Sequence, residues 1–392
     1  MGKYNFDEII ERRNTNSLKW HLKEGALPLW VADMDFRVAP EIIKAIKDRV
    51  DKGIYGYAYI EDEWKDSIIR WNKRRHNHTI NSASLVFTLG GVPAFATILR
   101  EFTKEGEKVL LLSPSYNAFY NVIRNNRRVV VESSLKLVNG VFTIDFDDFE
   151  SKIKDEDVKL FILSNPHNPT GNIWSEDDLK ALAELAHKYN TLVISDEIHG
   201  DIVDPGLSYN PYAKVSDTAR DESITIFSCS KAFNVAGIQT SISYADNPQI
   251  LKRLKKAVND DEIGEANVFS TLVTMAAYDK SEDWLLEVNE YIKGNKDFVH
   301  AWAKENLPEL KIYNHGATYL MWIDISAYLG KFKNSREFVS SLYNDTGLYV
   351  SDGMMYGEKD GEKYFRLNVA SPRSRVEDGL NRLLTFIKAN KG

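Results

Sequence analysis

The sequence predicts an α/β protein, a large domain with a mainly parallel, seven-stranded sheet plus a smaller α+β domain. Three observations predict it. Between about residues 85 and 244, short apolar runs alternate with segments of helical periodicity, the pattern of β-α-β units. The runs are continuously hydrophobic, as in Leu160-Phe161-Ile162-Leu163, which fits strands buried on both faces. Polar residues capable of chemistry follow these runs directly, where open α/β sheets bind their ligands.

The elements follow in order. The segment through Asp35 reads as mostly irregular. A helix comes next, with Pro40 in its first turn, Ile42, Ile43, Ile46 and Val50 in one stripe, and Gly53 at its exit. Strands are expected at 85–89, 109–112, 129–131, 158–163, 192–195, 224–227 and 239–244. One intervening helix is sharply marked. Ser175 and Asp178 resemble a capping box, and Leu179, Leu182, Leu185, Ala186 and Tyr189 make its inward face. After about residue 250 the pattern turns helical, then returns to strands near 319–325 and 363–369. In the last helix Ser374 and Glu377 read as a second capping box, ahead of Val376, Leu380, Leu383, Leu384 and Ile387. We expect a large domain over residues 50–285, and a small one from 1–49 joined by 286–392.

Bulk properties bound the function. At 392 residues, 43% hydrophobic and 27% charged, the chain reads as soluble and globular. A net charge of −7 argues against nonspecific nucleic-acid binding, and basic runs such as Lys73-Arg74-Arg75 read as solvated helix ends. No apolar stretch is long enough to span a bilayer, and the N-terminus lacks a signal-like apolar region. The single cysteine, Cys229, allows no intrachain disulfide and fits a reducing cytoplasm, where the protein is expected.

Three motifs converge on one chemistry. Lys231 lies in Ser228-Cys229-Ser230-Lys231-Ala232-Phe233-Asn234, Asp196 closes the run from Thr191 to Ser195, and Asn168 opens Asn168-Pro169-Thr170-Gly171. A lysine amine, a carboxylate and an amide at neighbouring strand ends suit pyridoxal 5'-phosphate: a Schiff-base lysine, a partner for the pyridinium nitrogen, and a donor to the ring oxygen. Thr88-Leu89-Gly90-Gly91-Val92-Pro93 adds glycines after a strand and a proline where a helix begins, a ready anion site.

With these motifs in this order, the chain resembles the fold-type I pyridoxal-phosphate enzymes (PLP-dependent transferase-like), which include the aspartate aminotransferases, from about Leu29 to Arg366. The resemblance implies that Lys231 binds the cofactor and moves the substrate's α-proton, and that Asp196 keeps the pyridine protonated. It implies that Asn168 donates to the ring oxygen and that Tyr116 stacks on the ring. Gly91 and Val92 would donate to the phosphate from the backbone and Ser228 from its hydroxyl. Tyr57 would reach that phosphate from a second subunit, making a homodimer with shared sites. Arg366 would take the substrate α-carboxylate, assisted by the Ala32 backbone.

The chain departs from the aminotransferases in three ways. His199 stands where most have a tyrosine, and it could still reach the ring oxygen. Gln239 stands where many have a phosphate-binding arginine. The segments Leu29-Trp30-Val31-Ala32-Asp33-Met34-Asp35-Phe36 and Tyr55-Gly56-Tyr57, with Asp-Glu-Ile-His and Lys-Ala-Phe-Asn, look like the MalY/PatB branch, the cystathionine β-lyase-type carbon–sulfur lyases. That branch implies α,β-elimination from a cysteine S-conjugate, giving a thiol and an aminoacrylate that hydrolyses to pyruvate and ammonia. An aminotransferase of the same fold, or a regulatory protein keeping the scaffold, are the alternatives, because elimination and transamination begin alike. No metal site is expected: His76 and His78 read as part of a solvated face, and His167 with His199 lack a third ligand. Asp33 and Asp35 read as loop carboxylates with solvent or capping partners.

Overall fold

The computed structural model describes residues 2–390. Its large sheet has seven strands: β1 (Leu85–Thr88), β2 (Lys108–Ser113), β3 (Val129–Ser134), β4 (Val158–Ser164), β5 (Leu192–Asp196), β6 (Ser223–Phe227) and β7 (Ser241–Tyr244). They lie in the order β1-β7-β6-β5-β4-β2-β3. Strand β7 runs antiparallel to both its neighbours and the other pairs are parallel.

Side-chain alternation explains the unbroken apolar runs. Val109 and Leu111 of β2, with Leu160 and Ile162 of β4, pack on one face against Phe95, Ile98, Phe119 and Leu254. Leu110, Leu112, Phe161 and Leu163 pack on the other against Phe149, Ile153, Leu179 and Leu182. Because both faces are covered, the strand interiors are mostly apolar, and the polar residues buried in the central strands are small hydroxyls such as Ser195 and Thr225. The charged and amide groups that this sheet gives the candidate site stand at or beyond the strand ends.

Three helices matter for the site: α1 (Gly91–Phe102) follows β1, α2 (Glu176–Lys188) precedes β5, and α3 (Cys229–Ala232) is a single turn after β6. The expected capping box opens α2. Ser175 Oγ accepts from Asp178 N at 3.0 Å, and Asp178 Oδ2 accepts from Ser175 N at 3.2 Å. Ser175→Ala should therefore lower stability by about 1 kcal/mol, about 1–2 °C in a thermal melt. An unchanged melt would mean the cap is not formed in solution.

The last helix, α4 (Arg373–Ala389), corrects one expectation. It starts at Arg373 with Pro372 before it and no side-chain cap, so Ser374 falls inside the first turn and forms no box with Glu377. In the early helix Pro40–Val50 only Ile42 is fully buried, and Val50 is exposed, since the stripe's far end runs past the core.

A second sheet holds β8 (Lys311–Tyr313), β9 (Leu320–Asp324), β10 (Ser351–Asp352) and β11 (Tyr364–Asn368), in the antiparallel order β8-β9-β11-β10. Arg366 sits mid-strand on β11, opposite Trp322 and Ser351. The short parallel pairing of Leu27–Pro28 with Leu348–Tyr349 ties the N-terminal segment to this region. No described helix is long and apolar enough to cross a membrane.

Candidate active site

The carboxyl ends of β1, β2, β4, β5 and β6 face one cavity of about 240 Å³, between the large sheet and the N-terminal segment. Since β7 is antiparallel, its amino end opens there too, which places Gln239 and Thr240 in the wall. Ala32, Gly91, Val92, Tyr116, Asn168, Asp196, His199 and Lys231 all line the cavity.

Lys231 Nζ donates to Ala32 O at 2.8 Å. Burial pulls its pKa down, Asp33 pushes it back up, Arg366 lowers it and Asp196 raises it. An amine held short of its usual basicity is the form that condenses with an aldehyde. Asp196 is buried, accepts from Ile198 N at 3.1 Å, and has its carboxyl pushed up to about 7 by desolvation. A buried carboxylate in that condition wants a cation. His199 is neutral because burial holds its pKa down near 3, and its Nδ1 is buried with no partner. Tyr319 meets the His199 ring edge-on, with centroids 5.9 Å apart.

Helix α1 starts at Gly91 with Gly90 before it and no side-chain cap, leaving its first N–H groups directed at the cavity. A Cβ on Gly91 would come within 2.5 Å of Ile198 Cδ1. Arg366 lies beside the lysine on the small-sheet side. Its Nη1 donates to Asn168 Oδ1 at 3.1 Å and its Nη2 to Trp30 O at 2.9 Å, while the guanidinium lies 4.8 Å from the Tyr356 ring centre. Arg366 Nε is buried and unpartnered.

Three expected residues are not in the cavity lining: Arg366, which reaches it through its bond to Asn168, and Ser228 and Tyr57. Ser228 caps α3: its hydroxyl accepts from Ser230 N and donates to Thr240 O at 2.6 Å, and Ser230 lines the cavity in its place. Tyr57 is fully exposed, in a run with exposed Tyr55 and Tyr59, and lies outside its own chain's cavity. The missed residues are Ser230, Thr240 and Tyr319, whose hydroxyl donates to Ala32 O at 2.9 Å. Only the direction of β7 could have signalled Thr240, and periodicity does not encode direction.

Other polar groups were misjudged from sequence. Asp33 and Asp35 are held by ion pairs rather than by solvent or caps: they pair with Arg12 and Lys19 at 2.6–3.3 Å, Asp35 enclosed and Asp33 partly exposed. His76 and His78 are packed, not on a solvated face. His76 Nε2 lies 2.9 Å from Asp201 Oδ1, and His78 meets the Tyr244 ring edge-on. Both stand just beyond or at a helix end that folds back on the sheet, where periodicity is silent. His167 is buried against Thr170, outside the cavity lining. Among the described residues no group of three or more metal ligands occurs.

These residues fit pyridoxal phosphate. Asp196 wants a cation and the protonated pyridine nitrogen is one; His199 Nδ1 and the Asn168 amide lie at the cavity for the ring oxygen; the α1 N-terminus suits a phosphate. The strand order and the lysine in this cavity define a pyridoxal-phosphate-dependent enzyme. The chain belongs to the aminotransferase class I and II family, whose model matches residues 25–383. It is 37% identical over 388 residues to the cystathionine beta-lyase PatB of Bacillus subtilis, covering 97% of this chain and 98% of that one. A PLP-bound protein of Clostridium difficile 630, provisionally named an aminotransferase, matches with a TM-score of 0.94 at 39% identity over 98% of this chain and 100% of that one. The PLP-bound C-S lyase of Staphylococcus hominis matches at 0.92 and 33% identity, over 98% of each.

Proposed function

We propose that this protein is a pyridoxal-phosphate-dependent carbon–sulfur β-lyase. Its substrates are cysteine S-conjugates, cystathionine among them, and its products a thiol, pyruvate and ammonia. The observation that carries the choice of reaction is the full-length similarity to a cystathionine beta-lyase, and the meeting of Lys231, Asp196, Asn168 and His199 at one cavity supports it.

The chain's own groups divide the work. Arg366 presents its fork to the substrate α-carboxylate, and Asn168 and Trp30 O hold that fork at two edges. With the carboxylate so fixed, Cα comes to the side of the cavity that carries Lys231. Its amine, short of full basicity, takes the α-proton. When bound, the cofactor supplies an electron sink for the pair left at Cα. Asp196 keeps the proton on the ring nitrogen that makes this sink effective, and neutral His199 and Asn168 address the ring oxygen. Tyr116, which lines the cavity, would stack on the ring and shield it from water. The pair at Cα then forms the Cα–Cβ double bond as the sulfur leaves with the electrons of the Cβ–S bond and takes up a proton to become the thiol. Water converts the remaining aminoacrylate to pyruvate and ammonia.

The reading includes a homodimer in the cytoplasm, in which exposed Tyr57 reaches the partner's phosphate site. It also includes the division into a large domain at 50–285 and a small domain made of 1–49 and 286–392. The relative provisionally named an aminotransferase favours the rival reaction. A steady-state assay separates the two. The lyase releases thiol and pyruvate in equal amounts with no added 2-oxo acid. Turnover strictly dependent on a 2-oxo acid sinks the lyase and establishes the transferase.

A further inference from the structure

The segment 31–36 crosses the cavity beside Lys231, and almost every carbonyl in it is spoken for. Asn368 Nδ2 donates to Val31 O at 2.6 Å and to Asp33 O at 2.7 Å. Ala32 O receives Lys231 Nζ and the Tyr319 hydroxyl. Asn234, three residues after the lysine, donates to Met34 O and Phe36 O and accepts from Met34 N. These contacts fix the backbone.

They leave two carboxylates, Asp33 and Asp35, that the proposed chemistry does not use. Both are held by cations from the preceding irregular segment. Lys19, whose side chain is wholly buried, has exactly as many N–H bonds as it has acceptors: Asp33 O at 3.2 Å, Asp33 Oδ1 at 3.3 Å and Asp35 Oδ2 at 2.9 Å. Arg12 bridges the same pair, at 2.8 Å to Asp33 Oδ2 and 2.6 Å to Asp35 Oδ1. Asp35 also accepts from Trp20 Nε1 and Ser371 Oγ, and is enclosed. Asp33 is the open member, about one-fifth exposed and lining the neighbouring cavity. It directly follows the residue whose carbonyl holds the lysine amine.

We propose that Asp33 is a positioning residue which, with Lys19 and Arg12 as its counter-ions, orients the Ala32 carbonyl and sets the charge state of the Lys231 nitrogen. This rests on the reading of Lys231 as the residue linked to the cofactor. Arg375 of α4 adds a third cation, 4.0 Å from Asp35 Oδ1, so two carboxylates meet three cations in the cluster, and only Lys19 and Arg12 pair with Asp33. The member that adjoins Ala32 in the chain, whose carbonyl holds the Lys231 amine, is the carboxylate Asp33. The other charged or titratable groups facing Lys231 are Asp196 from the end of β5, Arg366 from β11, neutral His199 and the Tyr319 hydroxyl. Asp196 is committed to the ring nitrogen and Arg366 to the substrate. Asp33 is therefore the group whose charge adjusts the lysine without touching substrate or cofactor. Asparagine at 33 keeps the shape and removes the charge; methionine at 19 removes a counter-ion and leaves Asp33 more negative.

The test is a spectrophotometric pH titration of the lysine-linked cofactor in the holoenzyme, in wild type, Asp33→Asn, Lys19→Met and the double variant. Asp33→Asn should lower the midpoint by about 0.5–1 pH unit, because a nearby negative charge favours the protonated nitrogen. Lys19→Met should raise it by a similar amount, and the double variant should return towards wild type. A merely structural role moves neither midpoint in opposite directions. Midpoints unchanged, or displaced in the same direction by both single variants, overturn the proposal. Should Lys19→Met fail to fold, Asp33→Asn decides alone, since its carboxylate is partly exposed and its replacement isosteric. A wild-type protein with no visible band dependent on Lys231 would overturn the assignment of the lysine itself, and is distinguished from the other outcomes by Lys231→Ala.

Discussion

Lys231→Ala should abolish the visible absorbance of the lysine-linked cofactor and lower kcat by about 10⁴-fold, the upper range for loss of a positioned proton-transfer group. The structure says why the loss should be chemical rather than structural. The amine makes one hydrogen bond, to Ala32 O, and Tyr319 remains as a second donor to that same carbonyl. The truncated chain therefore leaves no buried backbone acceptor unpaired. Alanine is also a good residue for the single turn of α3, which Ser228 caps from outside the substitution. The melting temperature should stay within a few degrees of wild type. An added primary amine should restore part of the turnover, because it can supply the missing base from solution. Turnover within tenfold of wild type, or an unaltered spectrum, would remove Lys231 from the reaction.

How much of this was legible in the sequence depends on what each residue's signal was. Lys231, Asp196 and Asn168 were legible because buried parallel strands are dominated by apolar side chains, so a charged or amide group directly after an apolar run marks the ligand end of the sheet. The apolar runs also marked the buried parallel strands, and the Ser175/Asp178 pair marked the start of α2. Gly91 carried its own signal, a glycine pair ahead of a proline. What failed were contacts between distant segments. Asp33 and Asp35 looked like loop carboxylates because their counter-ions, Arg12 and Lys19, lie in an irregular stretch with no periodicity to orient them. His76 looked solvated because its partner Asp201 is 125 residues away. Ser228 had a correct address, but its hydroxyl is occupied by capping and by Thr240 O. Ser374 shows a different limit: a residue or two decides whether a serine stands at a cap or inside the first turn.

The same logic makes Asp196→Asn informative in two directions at once. In the holoenzyme, asparagine keeps the shape but cannot pair with a cationic ring nitrogen. Removing one partner of a buried ion pair costs about 3–5 kcal/mol, or about 10²–10⁴-fold in kcat at 1.36 kcal/mol per decade. In the cofactor-free protein the sign reverses. Desolvation raises the Asp196 carboxyl to about 7 in the folded chain, against about 4 in an unfolded one. A group raised on folding contributes stability that is fully present below its unfolded value and is lost as pH rises through its folded value. Between about pH 4 and 7 the wild-type apoprotein should therefore lose stability from this group, while the asparagine variant, with nothing to ionise there, should not. Above pH 7 the variant should be the more stable apoprotein and the less active holoenzyme. Thermal melts of both apoproteins at pH 5 and pH 8, beside kcat of the reconstituted enzymes, read both signs. A variant that is equally active, or an apoprotein pair with parallel pH dependence, would show that this carboxylate neither holds the ring nor waits, uncompensated, for it.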